Sequence, residues 1–432
     1  MTTAENPVAT DLKVASWPGL QPRLLLDTTS GVEGYPEYVR AGGYQSLTDP
    51  DALLDEIDRS GLLGRGGAAF PMAVKLRTVR DAGRAGRRTV LLANGEEGEP
   101  ASVKDRWLLR NRPHLVLDGV RLAARIVNAD SAFVYVSDPH AAHAVRTALT
   151  AVPSDGVAVS VVTVDPGYVA GEETAAVRAV NGGPAKPTDK PPRPFQEGVG
   201  GHPTLVSNVE TLANLPFILK HGSDAYRLTG TSASPGTFLA TVTGAGRAAG
   251  LYELPHGTSV ADLLVLHGVS ADAVTGVLMG GYFAGFINRD VLGATLDHET
   301  MRALGSGLGC GAVAILTDDC PVAVAAAVLA YFDRENADQC GSCFNGTAAM
   351  SAVAAALRDG VATVEDLARL ERWSVVLRGR GACATLDAAT NVAATLLKQF
   401  SEDVARHVTG DCDSCRNGAY TALRPYEVEV ES

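Results

Sequence analysis

Cys340-Gly-Ser-Cys343 and Cys412-Asp-Ser-Cys415 are two Cys-x-x-Cys pairs among seven cysteines. In a reducing compartment this spacing points to metal or redox chemistry rather than to structural disulfides. Far upstream, Gly61-Leu-Leu-Gly-Arg-Gly-Gly-Ala-Ala-Phe-Pro71 places four glycines and an arginine between two amphipathic segments. The backbone N–H groups of such a loop can close around an anion, and the helix that follows points its positive end at the same anion. The same pattern also serves as a plain connection. A third stretch, Asn94-Gly-Glu-Glu-Gly-Glu-Pro-Ala-Ser-Val-Lys-Asp-Arg106, directly follows an apolar run. Its crowded glutamates need donors, and Lys104 and Arg106 are near in sequence. It reads either as a solvated acidic turn or as the polar wall of a cofactor site, such as one for a flavin or a ribityl chain. Cys310 and Cys320 sit in apolar or turn contexts and read as structural. The nine histidines show no ligand spacing, and His202 reads as a loop residue.

These residues need a framework, and 432 residues with 46% hydrophobic and 20% charged side chains provide for two to four packed domains. A net charge of −12 disfavours non-specific binding to nucleic acid or anionic membrane and suits a basic partner. The segment Met1 to Pro18 lacks a basic region followed by an apolar one, so no signal peptide is expected. The longest apolar run, near Ala323 to Phe332, is far short of the ~18 residues of a membrane span. A cytoplasmic protein with no direct membrane insertion follows from these readings.

Positioning elements are expected as follows. Residues 1–24 form an extended arm. Helices cover 51–62 and 72–80 on either side of the glycine loop. Thr89 to Asn94, Ala132 to Val136 and Val157 to Val164 are apolar runs that suit buried parallel strands. With helices over 115–127 and 140–151 they give an α/β domain. Residues 182–201 form a loop, and Ser207-Asn-Val-Glu210 reads as a capping box that starts a helix running to about Lys220. Short strands over 237–243, 250–254, 277–279 and 313–316, with a helix over 260–267, make a small α+β unit. Alanine-rich helices over 322–334, 345–357, 364–373 and 385–407 suit a four-helix bundle.

Four motifs occur in order: Gly64-Arg-Gly-Gly-Ala-Ala-Phe-Pro71, Asn94 to Arg106, Tyr168-Val-Ala-Gly-Glu-Glu-Thr174, and Pro203-Thr-Leu-Val-Ser-Asn-Val-Glu-Thr211. Together, across about residues 50–400, they closely resemble the FMN-bearing, NADH-oxidising subunit of respiratory complex I. They are equally similar to the matching subunits of NAD-reducing hydrogenases and formate dehydrogenases. The resemblance implies an α/β, Rossmann-like FMN domain (25–232) and a ubiquitin-like β-grasp domain of the SLBB type (236–318). It further implies a helical bundle with a cysteine motif (321–408) and a C-terminal tail (409–432). It assigns Gly64, Arg65, Gly66, Gly67 and Lys75 to the phosphate and ring side of FMN, and Asn94, Glu96 and Glu97 to the polar flavin edges. Gly171, Glu172 and Glu173 fall beside the ring, with Asn208 and Thr211 near the ribityl phosphate. Phe70, Glu99 and Arg193 fall on the nucleotide side.

The departures from the family pattern matter as much. Family members stack aromatics on the NADH adenine at positions that here carry Thr78 and Arg193, and Gly200 also replaces a usual aromatic. Each lost partner is worth about 1 kcal/mol, so two weaken binding about tenfold or more. Arg193 could instead stack as a cation or pair with a phosphate. Three [4Fe–4S] ligands match Cys340, Cys343 and Cys383, while Ala337 replaces the fourth. Asp338 or a tail thiolate could complete the set. A site with no cluster, or zinc shared by the two cysteine pairs, remains open. The expected activity is FMN-dependent electron transfer from NADH or NADPH to an iron–sulfur cluster or a ferredoxin-like or thioredoxin-like iron–sulfur partner, within a larger redox complex. A protein-fed FMN carrier and a non-catalytic scaffold are the alternatives.

Overall fold

The computed structural model describes residues 12–25, 31–153, 156–410, 412–416 and 418–429. Strand β1 (Lys13–Ser16) comes from the segment expected to be an extended arm; residues 1–11 of that arm lie outside the described residues. It pairs in parallel with a strand more than 200 residues away, so the arm's end is an edge strand. Four residues without strong alternation give a sequence reader little to detect.

The glycine loop lies between helices Pro50–Ser60 and Met72–Arg84. Asp49 caps the first through the N–H groups of Asp51 and Ala52, and Gly61 ends it in the left-handed conformation. Its stripe of Leu53, Leu54 and Ile57 is buried, each side chain contributing about 1.5–3 kcal/mol. Strands β2 (Thr89–Asn94), β3 (Ala129–Val136), β4 (Ala158–Thr163) and β5 (Thr204–Asn208) form an all-parallel sheet in the order β4-β3-β2-β5. Helices Pro113–Val127 and Pro139–Ala151 cover it. The chain is α/β.

The outer pairing β2–β5 involves a strand that corrects the expected capping box. Ser207 belongs to β5, and the helix begins at Val209 with Asn208 as its cap, accepting from the Glu210 N–H. That helix, Val209–Ala213, is followed by Leu215–Arg227. A further helix, Lys104–Asn111, lies inside the acidic stretch.

A second, six-stranded mixed sheet has the order β1-β7-β6-β12-β9-β10, built from β6 (Thr237–Gly244), β7 (Gly250–Pro255), β9 (Gly276–Met279), β10 (Phe286–Asn288) and β12 (Ala312–Leu316). The two-residue strands β8 (Thr258–Ser259) and β11 (Thr295–Leu296) pair separately. Helix Val260–His267 packs into this unit's core through Val260, Leu263 and Leu264. Helices Pro321–Arg334, Gly341–Arg358, Val364–Val376 and Thr385–Gln399 share a core with Tyr282 and Phe286 of the second sheet unit. The helix expected over 385–407 is broken at Phe400, and Ser401–Thr409 is a separate helix. Phe400 turns inward to stack edge-on against Phe286 at 6.1 Å. No helix among the described residues is long and apolar enough to cross a membrane.

Candidate flavin crevice and cysteine centre

From β2 the parallel sheet grows outward through β3 and β4, then returns so that β5 lies on the other side of β2. Strand order reverses at β2/β5, and ligands of open α/β sheets bind outside the carboxyl ends at such a point. The two strands end there on Asn94 and Asn208, which pair in register. The glycine loop lies over this end. A Cβ on Gly66 would stand 3.2 Å from the Asn208 Cβ, and one on Gly67, where φ is +111°, would meet the Phe283 ring at 3.0 Å. The loop therefore approaches as only glycine permits. Its base is tied by the Gly64 N–H to the Phe70 carbonyl at 2.9 Å and by the Arg65 N–H to Thr211 Oγ1 at 2.8 Å. The helix after the loop, Met72–Arg84, has neither a side-chain cap nor an acidic residue in its first turn, leaving its N-terminal dipole uncompensated.

The assigned residues divide into three groups. Some face the crevice. Glu96 is buried and neither carboxylate oxygen makes a well-formed hydrogen bond, although Ser137 and the Gly167 N–H lie near enough to oppose the rise of its pKa. Burial pushes its pKa up to about 7. A buried acceptor without a well-formed bond, just past the end of β2 and packed against Gly171, fits a ligand rich in N–H or O–H donors. Asn94 donates to the Gly171 carbonyl at 2.7 Å, which draws the Tyr168–Gly171 turn against the strand end. Lys75 reaches the Val206 carbonyl at 3.2 Å, and burial lowers its pKa while Glu173 opposes that shift.

Others hold the wall rather than line it. The Arg65 guanidinium is buried and bonds to the carbonyls of Leu63 and Thr237 and to the Tyr226 hydroxyl; only its backbone belongs to the loop. Glu97 accepts from the N–H groups of Asp105 and Arg106 and so caps helix Lys104–Asn111. Glu99, expected on the nucleotide side, is buried against the second sheet unit, accepting from the Tyr282 N–H at 3.0 Å. Its other oxygen is unpaired, and burial pushes its pKa up to about 8.

A third group forms an ionic rim. Glu172 caps Glu173–Val180 and binds Lys190 at 2.6 Å. Glu173 takes Lys190 at 3.3 Å and Arg193 at 3.8 Å. Arg193 is thus paired with a carboxylate, while Phe70 is 46% exposed and Thr78 turns back to the Val74 carbonyl.

Sequence reading missed the support beneath the crevice. Lys104, fully buried, bonds Asp105 at 2.7 Å and Glu210 at 3.0 Å. Burial opposes its charge, but the two carboxylates outweigh that and raise its pKa. Asp105 in turn accepts from Asn208 at 2.7 Å, and Glu210 from the Leu239 N–H at 2.9 Å. The network links loop, helix and second sheet. Its one sequence signal was the acid–base alternation around Lys104.

Cys340, Cys343 and Cys383 line one small cavity together with Ala337, Gln339 and Pro187. The Ala382 N–H points at Cys340 Sγ at 3.4 Å. Lys186 bonds the Ala337 carbonyl and Gln339 the Pro187 carbonyl, joining the flavin-side loop to the cysteine loop. Asp338, beside the gap, is exposed with φ +55°. The tail thiolates are elsewhere: Cys415 lies against His407 and Cys412 against Cys320. That removes the tail as a source of the fourth thiolate. It also brings Cys320 and His407, which no sequence spacing joined, within 4.8 Å of the tail thiols.

Fold and site define an α/β flavin protein with an attached cysteine centre, and known proteins agree. Residues 57–217 match the family described as the Nuo51 FMN-binding domain. Residues 323–407 match the NADH-ubiquinone oxidoreductase-F iron-sulfur binding region. The chain is 32% identical over 395 residues to the second F-type NADH-quinone oxidoreductase subunit of Rhizobium meliloti (strain 1021), covering 86% of this chain and 93% of that one. It is 29% identical over 420 residues to NADP-reducing hydrogenase subunit HndC of Solidesulfovibrio fructosivorans, covering 92% and 85%. A crystal structure of NAD+-reducing [NiFe]-hydrogenase in the H2-reduced state superposes with a TM-score of 0.75 at 30% identity, over 84% of this chain and 63% of that one. The chain belongs to the family of F-type subunits of NADH-quinone oxidoreductase.

Proposed function

We propose that this chain is the flavin-bearing entry subunit of a cytoplasmic redox complex. It would take electrons from NADH or NADPH through FMN to a [4Fe–4S] cluster held by Cys340, Cys343 and Cys383, and then to a ferredoxin-like or thioredoxin-like iron–sulfur partner. FMN, when bound, supplies the conversion of a two-electron hydride into single electrons. The protein's residues supply position and electrostatics. Gly64, Gly66 and Gly67 give backbone access, and the uncapped helix Met72–Arg84 and Lys75 supply positive potential for a phosphate. Asn94, Glu96, Gly171 and Asn208 present polar atoms to the ring and ribityl chain. Thr211 and the Arg65 side chain fasten the loop, and Glu97 fastens the wall. Phe70 and the ionic rim of Glu172 and Glu173 border the nucleotide side. Glu99 could join them only by leaving its buried position.

The observation that carries this reading is Glu96, a buried carboxylate with neither oxygen hydrogen-bonded, two residues past the end of β2 at the topological switch point. In the same reading the second sheet is a β-grasp unit of the SLBB type over 236–318, and the alanine-rich helices over 321–408 are a four-helix bundle. Purified protein should show the flavin spectrum and bleach within seconds when mixed anaerobically with NADH or NADPH. A colourless protein would sink the flavin assignment. A yellow protein silent to both nucleotides would support the second reading, a carrier fed by another protein. The Arg193–Glu173 pair and Thr78, standing where family members carry rings, favour that reading.

A further inference from the structure

Cys320 precedes the first turn of helix Pro321–Arg334, and His407 sits in the last turn of helix Ser401–Thr409. Gly410 ends that second helix in the left-handed conformation and turns the chain back. Cys412 then precedes, and Cys415 lies within, a single helical turn, Asp413–Arg416. The three sulfurs and His407 Nε2 all lie within 4.8 Å of one another. Nε2 is 3.4 Å from Cys320 Sγ and 3.3 Å from Cys415 Sγ, and Cys412 Sγ is 3.9 Å from Cys320 Sγ. A zinc ion with bonds of about 2.3 Å to sulfur and about 2.0–2.1 Å to nitrogen makes tetrahedral edges of about 3.8 Å and about 3.5–3.6 Å. The three separations above lie within about 0.3 Å of those edges, and the other three are no longer than 4.8 Å. His407 Nδ1 lies 2.7 Å from the Asp403 carbonyl, which fixes the proton on Nδ1 and leaves the Nε2 lone pair facing the sulfurs. Cys320 and His407 are buried while the tail cysteines are half-buried, the closed setting of a structural ion rather than an open catalytic one. The [4Fe–4S] alternative fits poorly, because a cubane's own irons and sulfides stand between its thiolates and spread them apart.

We propose that Cys320, His407, Cys412 and Cys415 form a structural zinc site, separate from the cysteine centre at Cys340, Cys343 and Cys383. The ion staples the tail to the ends of two helices. Beyond it the tail bonds Asp319 through Tyr426 at 2.7 Å, the Pro100 carbonyl through the Val428 N–H at 3.0 Å, and Arg106 through the Val428 carbonyl at 3.1 Å. Tyr282 also donates to the Pro425 carbonyl. The staple thus secures a strap across the Glu99-Pro100 wall of the crevice.

Full-length protein expressed with zinc supplementation should carry one zinc per chain by elemental analysis. Zinc-edge X-ray absorption should show three sulfurs and one nitrogen. Cys415→Ser and His407→Ala should each drop zinc to a trace while leaving iron content unchanged, and limited proteolysis should then cut within 412–428. Zinc-free parent protein, a first shell of oxygens and nitrogens, a Cys412–Cys415 disulfide, or loss of iron instead of zinc in the Cys415→Ser protein would each overturn the proposal. Where the variants fail to fold, the absorption spectrum of the unaltered protein decides alone.

Discussion

The helical end of the molecule holds two groups of cysteines that look alike in sequence and differ in space. Cys412 and Cys415 close with Cys320 and His407 into a set with every ligand atom within 4.8 Å. Cys340, Cys343 and Cys383 share a cavity wall instead, and among the described residues no other set of three ligands closes as tightly. Tight closure suits one ion. An open ring suits a cluster that brings its own bulk. The open group also touches the flavin-side loop through Lys186 and Gln339, whereas the closed group touches only helix ends and tail. In the proposed reading one group passes electrons and the other holds the chain in place.

The largest effect that would break this contrast comes from Cys340→Ala. Iron and sulfide should fall to background in that protein while zinc stays at one equivalent. Equal iron in parent and variant would end the ligand assignment at Cys340. Next is Ala337→Cys. Ala337 is buried and lines the cavity beside the three cysteines, so a thiolate there would complete the ring. The cluster's lifetime in air should lengthen about tenfold or more, the scale on which a supporting contact alters metal affinity. An unchanged lifetime, followed by loss of cluster absorbance, would show that position 337 does not face the cluster.

Much of this was legible because local signals and global role coincided. The apolar run Thr89–Asn94 is a central strand, and the glycine loop lies at its carboxyl end, as an open α/β sheet requires. Strand Thr204–Asn208 was misread because Asn208 does cap a helix; the cap was seen one residue early, and the helix displaced the strand. The closed cysteine group was illegible for a different reason. Its ligands come from three segments, with Cys320 lying 87 residues before His407, and no spacing rule joins them. Glu99 was assigned by motif to the nucleotide side, but it is buried against Gly281 and Tyr282 of the second sheet unit, a contact that is not local in sequence.

That burial gives a test linking the closed group to the crevice. Glu99, held near about 8 by burial, titrates near about 4.3 in the unfolded chain. As pH rises from about 4.3, the unfolded chain ionises while the folded chain keeps its proton. Stability is therefore lost across the window up to about pH 8, at about 1.4 kcal/mol per unit, and the loss is complete above it. Glu99→Gln should leave thermal stability at pH 4 near the parent value and raise it by a few kcal/mol at pH 9. Stripping zinc with a chelator should flatten the parent's slope by releasing the strap over this wall. An unaltered slope in the variant would mean that the carboxylate is solvated.

The smallest expected change concerns the rim that neither cysteine group touches. Arg193 is 58% exposed at its side chain and pairs with Glu173 at 3.8 Å, a contact worth about 0–1 kcal/mol at a solvent-exposed site. Glu173 keeps Lys190 if Arg193 is replaced, so the rim should survive the change. Arg193→Phe combined with Thr78→Phe returns two rings to positions that stack on adenine in the family. Nucleotide should then bind more tightly by about tenfold or more, since each of the two rings is worth about 1 kcal/mol. Anaerobic flavin titration with NADH and NADPH measures this, with iron and zinc contents serving as controls for the untouched metal regions. A tighter site would establish that the parent crevice still receives a nucleotide and has traded affinity for an ionic rim. No gain with either nucleotide, in protein that keeps its flavin and both metals, would move the electron source from the nucleotide to a protein partner.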